Sequence, residues 1–586
     1  MKLSDVFKKA AAGKREPPVS PAANDKERVK RGEALLEKYR AGKANLDRRI
    51  VENEQWYKMR RTATADGSVP SSGWLFNAIA NKHAEAMDNY PSPVILPREE
   101  GDRAEAETLS AIVPVILDRC DFERVFSEEQ MYKLKTGTGV YGVFWDTSAA
   151  GGYGDVAVRK IDLLNLFWEP GVADIQESAN LFHVECVDNE RLTALYPILE
   201  GKPGGGSVPV TRYAYDDAVD ASDKSLLVDW YYKKRVGGKT VVHLMKFCRG
   251  VCLFSSEDDP VMRERGFYDH GLYPFVFDTL YTVEGSPAGF GFIDVGKGAQ
   301  DFIDRGGRAI FENLLAGARP RYFERIDGSI NEEEFCDFTK SVVHVSGNLG
   351  EDSVRPVDHY PLSGIYLEVL RDKINELKET VGNRDVGTGG TVSGVTAASA
   401  IAAMQEAGAK LTRDNVRAAY RAFRLVVLMV IELIRQFYDV GRQFRIIGKD
   451  GAMKFISYEN GGIVPRDQGV EFGEELGVRT PLFDVKVSAQ KASPYSKMAQ
   501  NELALELYKY GIFAPERARA ALLCLGMMDL DGKEAIREKI AKGAGLDAGD
   551  GEPPSAPPAR SVPLRGGEAA VTASAREAAA EVTRVN

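Results

Sequence analysis

The sequence predicts an α+β fold in which helix-rich and strand-rich stretches occupy separate parts of the chain. Apolar residues recur at helical spacing in three early segments, 25–61, 75–90 and 103–137. From Gly139 to about Tyr281 the pattern changes to short β-rich runs, and helical spacing returns after Gly291. The 586 residues are 44% hydrophobic and 28% charged. These are ordinary globular values, so wholesale disorder is excluded.

The chain is acidic overall. Its 76 Lys and Arg stand against 86 Asp and Glu, which gives a formal charge of -10. Proteins that coat nucleic acid by neutralising phosphates are usually basic, so we expect any contact with DNA to be made without a strong grip. The first residues lack the apolar run of a secretory signal. The most apolar helix has only Leu425–Ile431 as its longest uncharged run, too short for a membrane span.

The clearest local signal in the strand-rich part is a β-hairpin. The segment SLLVDWYYKKRVGGKTVVHLMKF places Gly237 and Gly238 between two β-rich runs. Glycine adopts the positive φ angles of a tight hairpin turn without a steric cost. We therefore predict two long antiparallel strands joined at these glycines.

Two predicted helices in the second half flank a small insert. In the first, 295–316, the apolar face is formed by Phe302, Ile303, Ile310 and Leu314. The opposite face is assigned to Gln300, Asp301, Asp304, Arg305 and Arg308. The insert, 319–361, reads as short strands around a small helix. The second helix, 364–381, carries apolar residues at a 3-4-3-4 spacing that indicates a packing seam: Leu367, Leu370, Ile374, Leu377 and Val381.

A glycine-rich segment follows the second helix. Residues 382–394, GNRDVGTGGTVSG, contain five glycines and cannot continue a helix, so they predict a mobile loop. Beyond it we expect a long helical region (Thr396–Val440), returning strands (444–490) and two or three helices (494–543). The Pro/Ala/Gly-rich residues after Leu546 predict a disordered tail.

The sequence contains no convincing catalytic or metal-binding motif. Gly291–Gly298 has the G-x4-G-K spacing of a phosphate-binding loop, but Gly298 stands where a Ser or Thr would hold Mg²⁺. The loop also carries Phe, Ile and Val where a phosphate cradle needs small residues. The histidines and cysteines form no set with metal-ligand spacing. We therefore expect no enzyme activity, no cofactor and no metal.

The order of parts resembles the portal proteins of tailed bacteriophages, the ring-shaped connectors through which genome DNA enters and leaves the capsid. Five stretches carry the resemblance. They are the helix ending in QWYKMRR with GWLFNAIANKHAEAMDNYPSPVILP; EEQMYKLKTGTGVYGVFWD with VRKIDLLNLFWEPGVADIQESANLFHVECVDNERLTALYP; SPAGFGFIDVGKGAQDFIDRGGRAIFENLL; the helix, glycine loop and small-residue helix of 364–405; and KASPYSKMAQNELALELYKYGIFAPERARAALLCLG.

The resemblance implies a portal-like fold with a β-rich wing, a helical stem, a small mixed α/β clip and a C-terminal helical crown. The implied boundaries are a flexible N-terminal arm (1–24), wing (25–290), first stem helix (291–318), clip (319–361), second stem helix (362–381), tunnel loop facing DNA (382–394), wing again (395–490), crown helices (491–545) and disordered tail (546–586).

The resemblance also implies three sets of site residues. The tunnel loop would offer Asn383, Arg384, Asp385, Thr388, Thr391 and Ser393. The clip would present charges to the packaging motor and neck proteins through Glu324, Arg325, Asp327, Glu332, Glu333 and Glu334. The polar face of the stem would be Lys297, Asp301, Arg305 and Arg308. The loop holds one Arg and one Asp, and this neutrality suits a channel because each phosphate-bound cation in a ring would help to trap the DNA.

The function implied is that of a non-enzymatic conduit for packaging and ejecting double-stranded DNA. Portals form closed rings, typically of twelve copies, at one capsid vertex of the virion after assembly in the host cytoplasm. Expected partners are double-stranded DNA without sequence specificity, the terminase large subunit, head-completion and neck proteins, and the major capsid and scaffold proteins, with no membrane. Two alternatives remain: another phage head or neck protein, or a phosphate-binding motor using Gly291–Gly298.

Overall fold

A computed structural model describes most of the chain. The described residues are 23–59, 72–202, 213, 223–318, 321–324, 330–337, 339–347, 354–357, 362–382, 410–447, 453–467, 470–471, 474–475, 478–489, 505–512, 514, 517–527 and 533–543. The chain divides into two compact units. The first comprises residues 1–448 with 452–493, and the second comprises residues 449–451 with 494–586.

The N-terminal part is helical with one strand. Its elements are α1 (Ala23–Tyr57), α2 (Trp74–Asp88), β1 (Pro91–Pro97), α3 (Arg103–Arg119) and α4 (Phe122–Thr136). The helix predicted over 103–137 is therefore two helices. They are separated at Asp121, whose φ of 52° lies in the left-handed region and cannot continue an α-helix. Strand β1 contains three prolines. Because proline is rare within strands, β-propensity does not predict this strand.

The strand-rich region follows in the predicted place. It contains β2 (Thr138–Asp146), β3 (Asp155–Lys160), β4 (Leu166–Trp168), β5 (Asn180–Asp188), α5 (Asn189–Leu195), β6 (Lys224–Val236), β7 (Lys239–Cys248), β8 (Val251–Ser255), α6 (Pro260–Arg265), β9 (Phe275–Thr279), β10 (Tyr281–Val283) and β11 (Ser286–Phe290). Strands β4 to β8 form one antiparallel sheet in sequence order, and a second sheet has the order β3-β2-β9.

The predicted hairpin is confirmed. Strands β6 and β7 pair from Leu227 with Cys248 to Val236 with Lys239. Gly237 and Gly238 have φ angles of 56° and 83°, the positive values that a two-residue hairpin turn requires. Helix α1 packs on the sheet so closely that a Cβ at Gly32 would lie 3.0 Å from the Trp230 ring.

The second half contains the remaining helices and short strands. These are α7 (Phe292–Ala318), β12 (Tyr322–Glu324), α8 (Glu332–Cys336), β13 (Val354–Pro356), α9 (Ile365–Val381), α10 (Lys410–Phe437), β14 (Arg442–Ile447), β15 (Met453–Tyr458), β16 (Arg466–Asp467), β17 (Val470–Glu471), β18 (Glu474–Glu475), β19 (Val478–Arg479), β20 (Phe483–Ala489), α11 (Ala518–Met527) and α12 (Lys533–Gly543). Helices α11 and α12 belong to the second unit. Helices and strands thus occupy largely separate stretches, and the predicted α+β class is confirmed.

Distant parts of the chain share the largest hydrophobic core. Helix α10 contributes Val426, Val430 and Phe437, which pack with residues of α3, α4, β2 and β3. The Trp145 and Phe437 rings stack with centroids 4.6 Å apart. Strand β20 pairs antiparallel with β1 and not with the strands after Gly139. The first unit is therefore closed by pairing between its beginning and its end.

Some predicted elements lie outside the described residues. They are the arm up to residue 22, residues 383–394 of the predicted tunnel loop, the start of the long helical region up to residue 409, and the predicted tail from residue 546. Among the helices that the structure describes, none is long and apolar enough to cross a membrane.

Candidate functional site

Helices α7 and α9, the predicted stem, pack against each other in antiparallel orientation. Two glycines of α7 allow the close approach. A Cβ on Gly296 would meet the Val381 side chain at 3.3 Å, and one on Gly306 would meet Leu370 at 3.4 Å. The inner ends of both helices join a core with α2 and α4 that includes Leu75, Ile303 and Leu377. The base of the helix pair is thus fixed to the body of the first unit.

A buried polar cluster locks α7 to the start of α2. The amide of Gln300 donates to the Ser72 hydroxyl (2.8 Å) and to Asp304 Oδ1 (2.9 Å), and the Ser72 backbone N–H donates to the same carboxylate oxygen (2.9 Å). Gln300 and Asp304 are 2% and 3% exposed. Their assignment to an outward polar face is therefore wrong. A polar side chain can be buried on the same helix as Ile303 when its hydrogen bonds are satisfied. The polarity of the residue alone does not indicate this burial.

The apolar faces of α7 and α9 continue beyond this core into solvent. On α7, Leu314 lies on the same helical face as the buried Ile303 but is 65% exposed, and Phe311 is 55% exposed. On α9, the predicted seam runs from buried Val381 and Leu377 to Leu367, which is 49% exposed. We call the exposed residues Phe311, Leu314, Ile365, Tyr366 and Leu367 the outer apolar patch. It occupies the ends of the two helices that adjoin the insert.

The predicted polar residues of α7 share one face, and each has an opposite charge nearby. Asp301 and Arg305 form an ion pair at 2.9 Å. Arg308 pairs with Glu312 at 2.7 Å. Lys297 lies 3.5 Å from Glu52 of α1 and 3.9 Å from Asp294, so it is held against the body of the unit. This face is therefore close to neutral, as pairs at i,i+4 spacing largely cancel each other's charge.

The insert between the helices, the predicted clip, is small and mostly exposed. Strands β12 and β13 pair antiparallel, and Ile330 bridges to Val345. The Tyr322 and Phe335 rings meet edge to face with centroids 5.0 Å apart. Among the insert residues whose side chains the structure describes, Ile330 alone is buried, at 8% exposure.

The acidic residues predicted for the clip divide into two groups. Glu332 and Glu333 are exposed in the first turn of α8. Glu334 instead accepts hydrogen bonds from the His344 backbone N–H (2.8 Å) and from its Nδ1 (2.7 Å). Both hydrogen bonds lower the pKa of Glu334 below its ordinary value, and the bond from the backbone N–H contributes most. Glu334 therefore organises the insert, whereas Glu332 and Glu333 stay exposed.

The other predicted site residues are only partly described. Glu324 is the last residue of β12, and its backbone pairs with Val354. Arg325 and Asp327 lie outside the described residues, and so do all six tunnel-loop residues, Asn383, Arg384, Asp385, Thr388, Thr391 and Ser393. Their roles remain predictions.

The segment Gly291–Gly298 is a packed helix start. The Gly291 N–H donates to Asp294 Oδ2 at 3.0 Å, so the chain's own carboxylate occupies the position where a phosphate would bind. Phe292 and Ile293 are buried, and a Cβ on Gly291 would lie 2.8 Å from the Leu134 carbonyl. Gly291 and Gly296 serve packing, which disfavours the alternative of a phosphate-binding motor.

The comparisons with known proteins address the second half of the chain. Residues 342–584 match the model of the phage P22-like portal protein family. The match begins within the predicted clip and includes α9, α10, the later strands and the C-terminal unit. No curated protein matched the chain. The family match confirms, over residues 342–584, the resemblance to phage portal proteins that the sequence pattern indicates.

Proposed function

We propose that the chain is the subunit of a ring-shaped portal at one capsid vertex of a tailed bacteriophage, through which double-stranded DNA is packaged and ejected. Besides the family match, the outer apolar patch carries this proposal. Leu314 and Leu367 extend two packing faces that a single chain leaves uncovered. Contiguous exposed apolar surface on a folded chain marks an interaction site. In a closed ring, different faces of one helix meet different neighbours, so a second and a third copy would cover the patch.

The near-neutral polar face of α7 suits the lining of such a channel. DNA must slide past the subunits, and every unpaired cation would add a counterion-release contribution that a ring multiplies. Ion pairs within the helix avoid this contribution. Asp301 pairs with Arg305, and Arg308 pairs with Glu312. The glycine-rich residues 382–394 would contact DNA beside this face. Catalysis has no part in this function.

The exposed Glu332 and Glu333 would face docking partners on the clip. The terminase large subunit would bind there during packaging, and neck proteins would replace it afterwards. Tyr322 and Phe323, which are 44% and 63% exposed, would add apolar contact area. A rim of charge around exposed aromatic residues is common in protein interfaces.

Electron microscopy of the purified full-length chain tests the proposal. We expect rings with a central hole. The double variant Leu314→Glu/Leu367→Glu should shift the particles to single chains, because a buried carboxylate in each subunit contact is costly. The matched control Tyr153→Glu/Leu195→Glu places the same charges on side chains that are 60% and 50% exposed elsewhere, and it should keep the rings. Filaments of the unmodified protein would instead favour another phage head or neck protein. Single chains would reject the assembly altogether.

A further inference from the structure

Helix α10 carries an arginine stripe in its first half. The stripe consists of Arg413, Arg417, Arg421 and Arg424, all exposed. Their i,i+4 and i,i+3 spacing places them on one face over about 16 Å of helix, at about 1.5 Å per residue. Asp414 is the one acidic residue among residues 410–425. A concentrated positive face is unexpected in a chain whose formal charge is -10.

Some exposed arginines on other helices are neutralised by a neighbouring carboxylate. Arg103 pairs with Glu107 at 3.6 Å, and Arg124 pairs with Glu128 at 2.7 Å. In the stripe, Arg424 lies 3.7 Å from Asp484 of β20. For Arg417 and Arg421, no carboxylate of the described residues lies within 4.0 Å. Like charges at this spacing destabilise a helix, so the stripe is not explained by helix stability.

The stripe is held rigidly, because the opposite face of α10 is in the core. Ala418, Ala422 and Phe423 are 7%, 3% and 1% exposed. The Tyr420 hydroxyl donates to the Asn89 carbonyl at 3.2 Å, which ties the same turn to the end of α2. A rigid row of guanidinium groups loses little conformational freedom when a ligand binds.

The surroundings of the stripe favour a polyanion over a protein surface. Between Arg413 and Arg424, the described residues of α10 expose no large hydrophobic side chain, and the first one beyond the stripe is Leu425, which is 49% exposed. Protein interfaces have an apolar centre, and charged residues are depleted there. Double-stranded DNA presents about one charge per 1.7 Å of its axis, so a stripe of about 16 Å faces several phosphates at once. Guanidinium groups bind phosphate oxygens by paired hydrogen bonds.

We propose that Arg417 and Arg421, supported by Arg413 and Arg424, bind the phosphate backbone of double-stranded DNA without reading its sequence. The choice of DNA among polyanions rests on the proposed portal function. The chain thus has two kinds of surface toward DNA: the neutral face of α7, where cations are paired, and a separate cationic row that holds the backbone electrostatically.

The test measures binding of the full-length chain to a fluorescein-labelled DNA duplex of about 30 base pairs by anisotropy, over ~50 to 200 mM salt. Arg417→Gln/Arg421→Gln should weaken binding by about tenfold or more. It should also make the slope of log K against log salt shallower by about 1.8 for each bound copy, at ~0.9 per phosphate contact. Arg417→Lys/Arg421→Lys keeps the charge and should keep the slope. The matched control Arg103→Gln/Arg124→Gln, which also removes two exposed arginines, should bind as the unmodified chain does.

Four results would overturn the proposal. They are no measurable binding by the unmodified chain, an unchanged salt slope in the glutamine variant, equal losses in the glutamine and lysine variants, and a changed copy number of the assembly in place of changed DNA binding. The last would identify the stripe as a subunit contact. Mass photometry of the same samples tests the portal function separately, because a chain that stays single rejects the ring whatever the stripe binds.

Discussion

The inner and outer ends of the α7–α9 helix pair present opposite surfaces although they share the same apolar pattern. At the inner end, Ile303, Leu377 and Val381 are buried against α2 and α4. At the outer end, Leu314 and Leu367 continue the same faces and stay exposed. The side-chain types at the two ends hardly differ. The apolar pattern therefore shows which face of a helix makes contacts, but it does not show what that face contacts. The body of the first unit completes its own core, whereas the outer end stays exposed in the single chain.

The largest effect is expected from Gly139→Ala in the body. An added Cβ would overlap the carboxyl group of Glu129, which is fully buried and receives a hydrogen bond of 2.6 Å from the Tyr141 hydroxyl. We expect a loss of about 3 kcal/mol in the free energy of unfolding, measured by denaturant titration. Gly298→Ala is the control, because no heavy atom lies within 4 Å of its added Cβ. Alanine there should stabilise the helix by up to ~1 kcal/mol. Equal stability of the two variants would show that the body is not tightly packed at β2.

A pair of alanine substitutions on one face of α7 measures the contrast directly. Ile303→Ala, at a side chain that is 4% exposed, should cost about 2 to 4 kcal/mol. Leu314→Ala, at 65% exposure, should change the free energy of unfolding by less than ~0.5 kcal/mol in the single chain. Both are measured by denaturant unfolding at a protein concentration too low for assembly. Similar costs at the two positions would reject the division into a self-contained inner end and an uncovered outer end.

The effect that is smallest when counted per pH unit concerns the buried Glu129. Burial first, and then the negative charge of Asp278, raise its pKa from 4.5 to about 8. The folded chain therefore holds a proton that the unfolded chain releases near pH 4.5. This contribution to stability is complete below that pH and is lost as the pH rises through about 8. Glu129→Gln should flatten the decline in unfolding free energy across this range, by up to ~1.4 kcal/mol per pH unit.

The control for this prediction is the exposed neighbour Glu128. Glu128→Gln should leave the pH dependence of stability parallel to that of the unmodified chain. If Glu129→Gln also gave a parallel curve, Glu129 would be ionised in the folded chain, and the body would tolerate a buried charge beside Asp278.

Local sequence patterns predicted most secondary-structure elements but not the pairing of strands that are distant in sequence. The Gly237–Gly238 hairpin, the helix that begins after Gly291 and the small insert all lie close to their predicted places. Strand β1 was missed because its prolines are typical of edge strands and turns. Its partner β20 is almost four hundred residues away in sequence, and no local periodicity can indicate such a pair.

The sequence by itself indicated most of the helices and strands, since periodicity, turn residues and glycines act over a few neighbours. It also carried the resemblance to portal proteins that the family match confirms over residues 342–584. Tertiary structure alone decided which polar residues are buried. Gln300 and Asp304 are enclosed because Ser72 satisfies their hydrogen bonds, and Arg417 and Arg421 stand exposed because the opposite face of α10 fills the core. Burial depends on what the rest of the fold brings near a side chain, and residue type does not specify that.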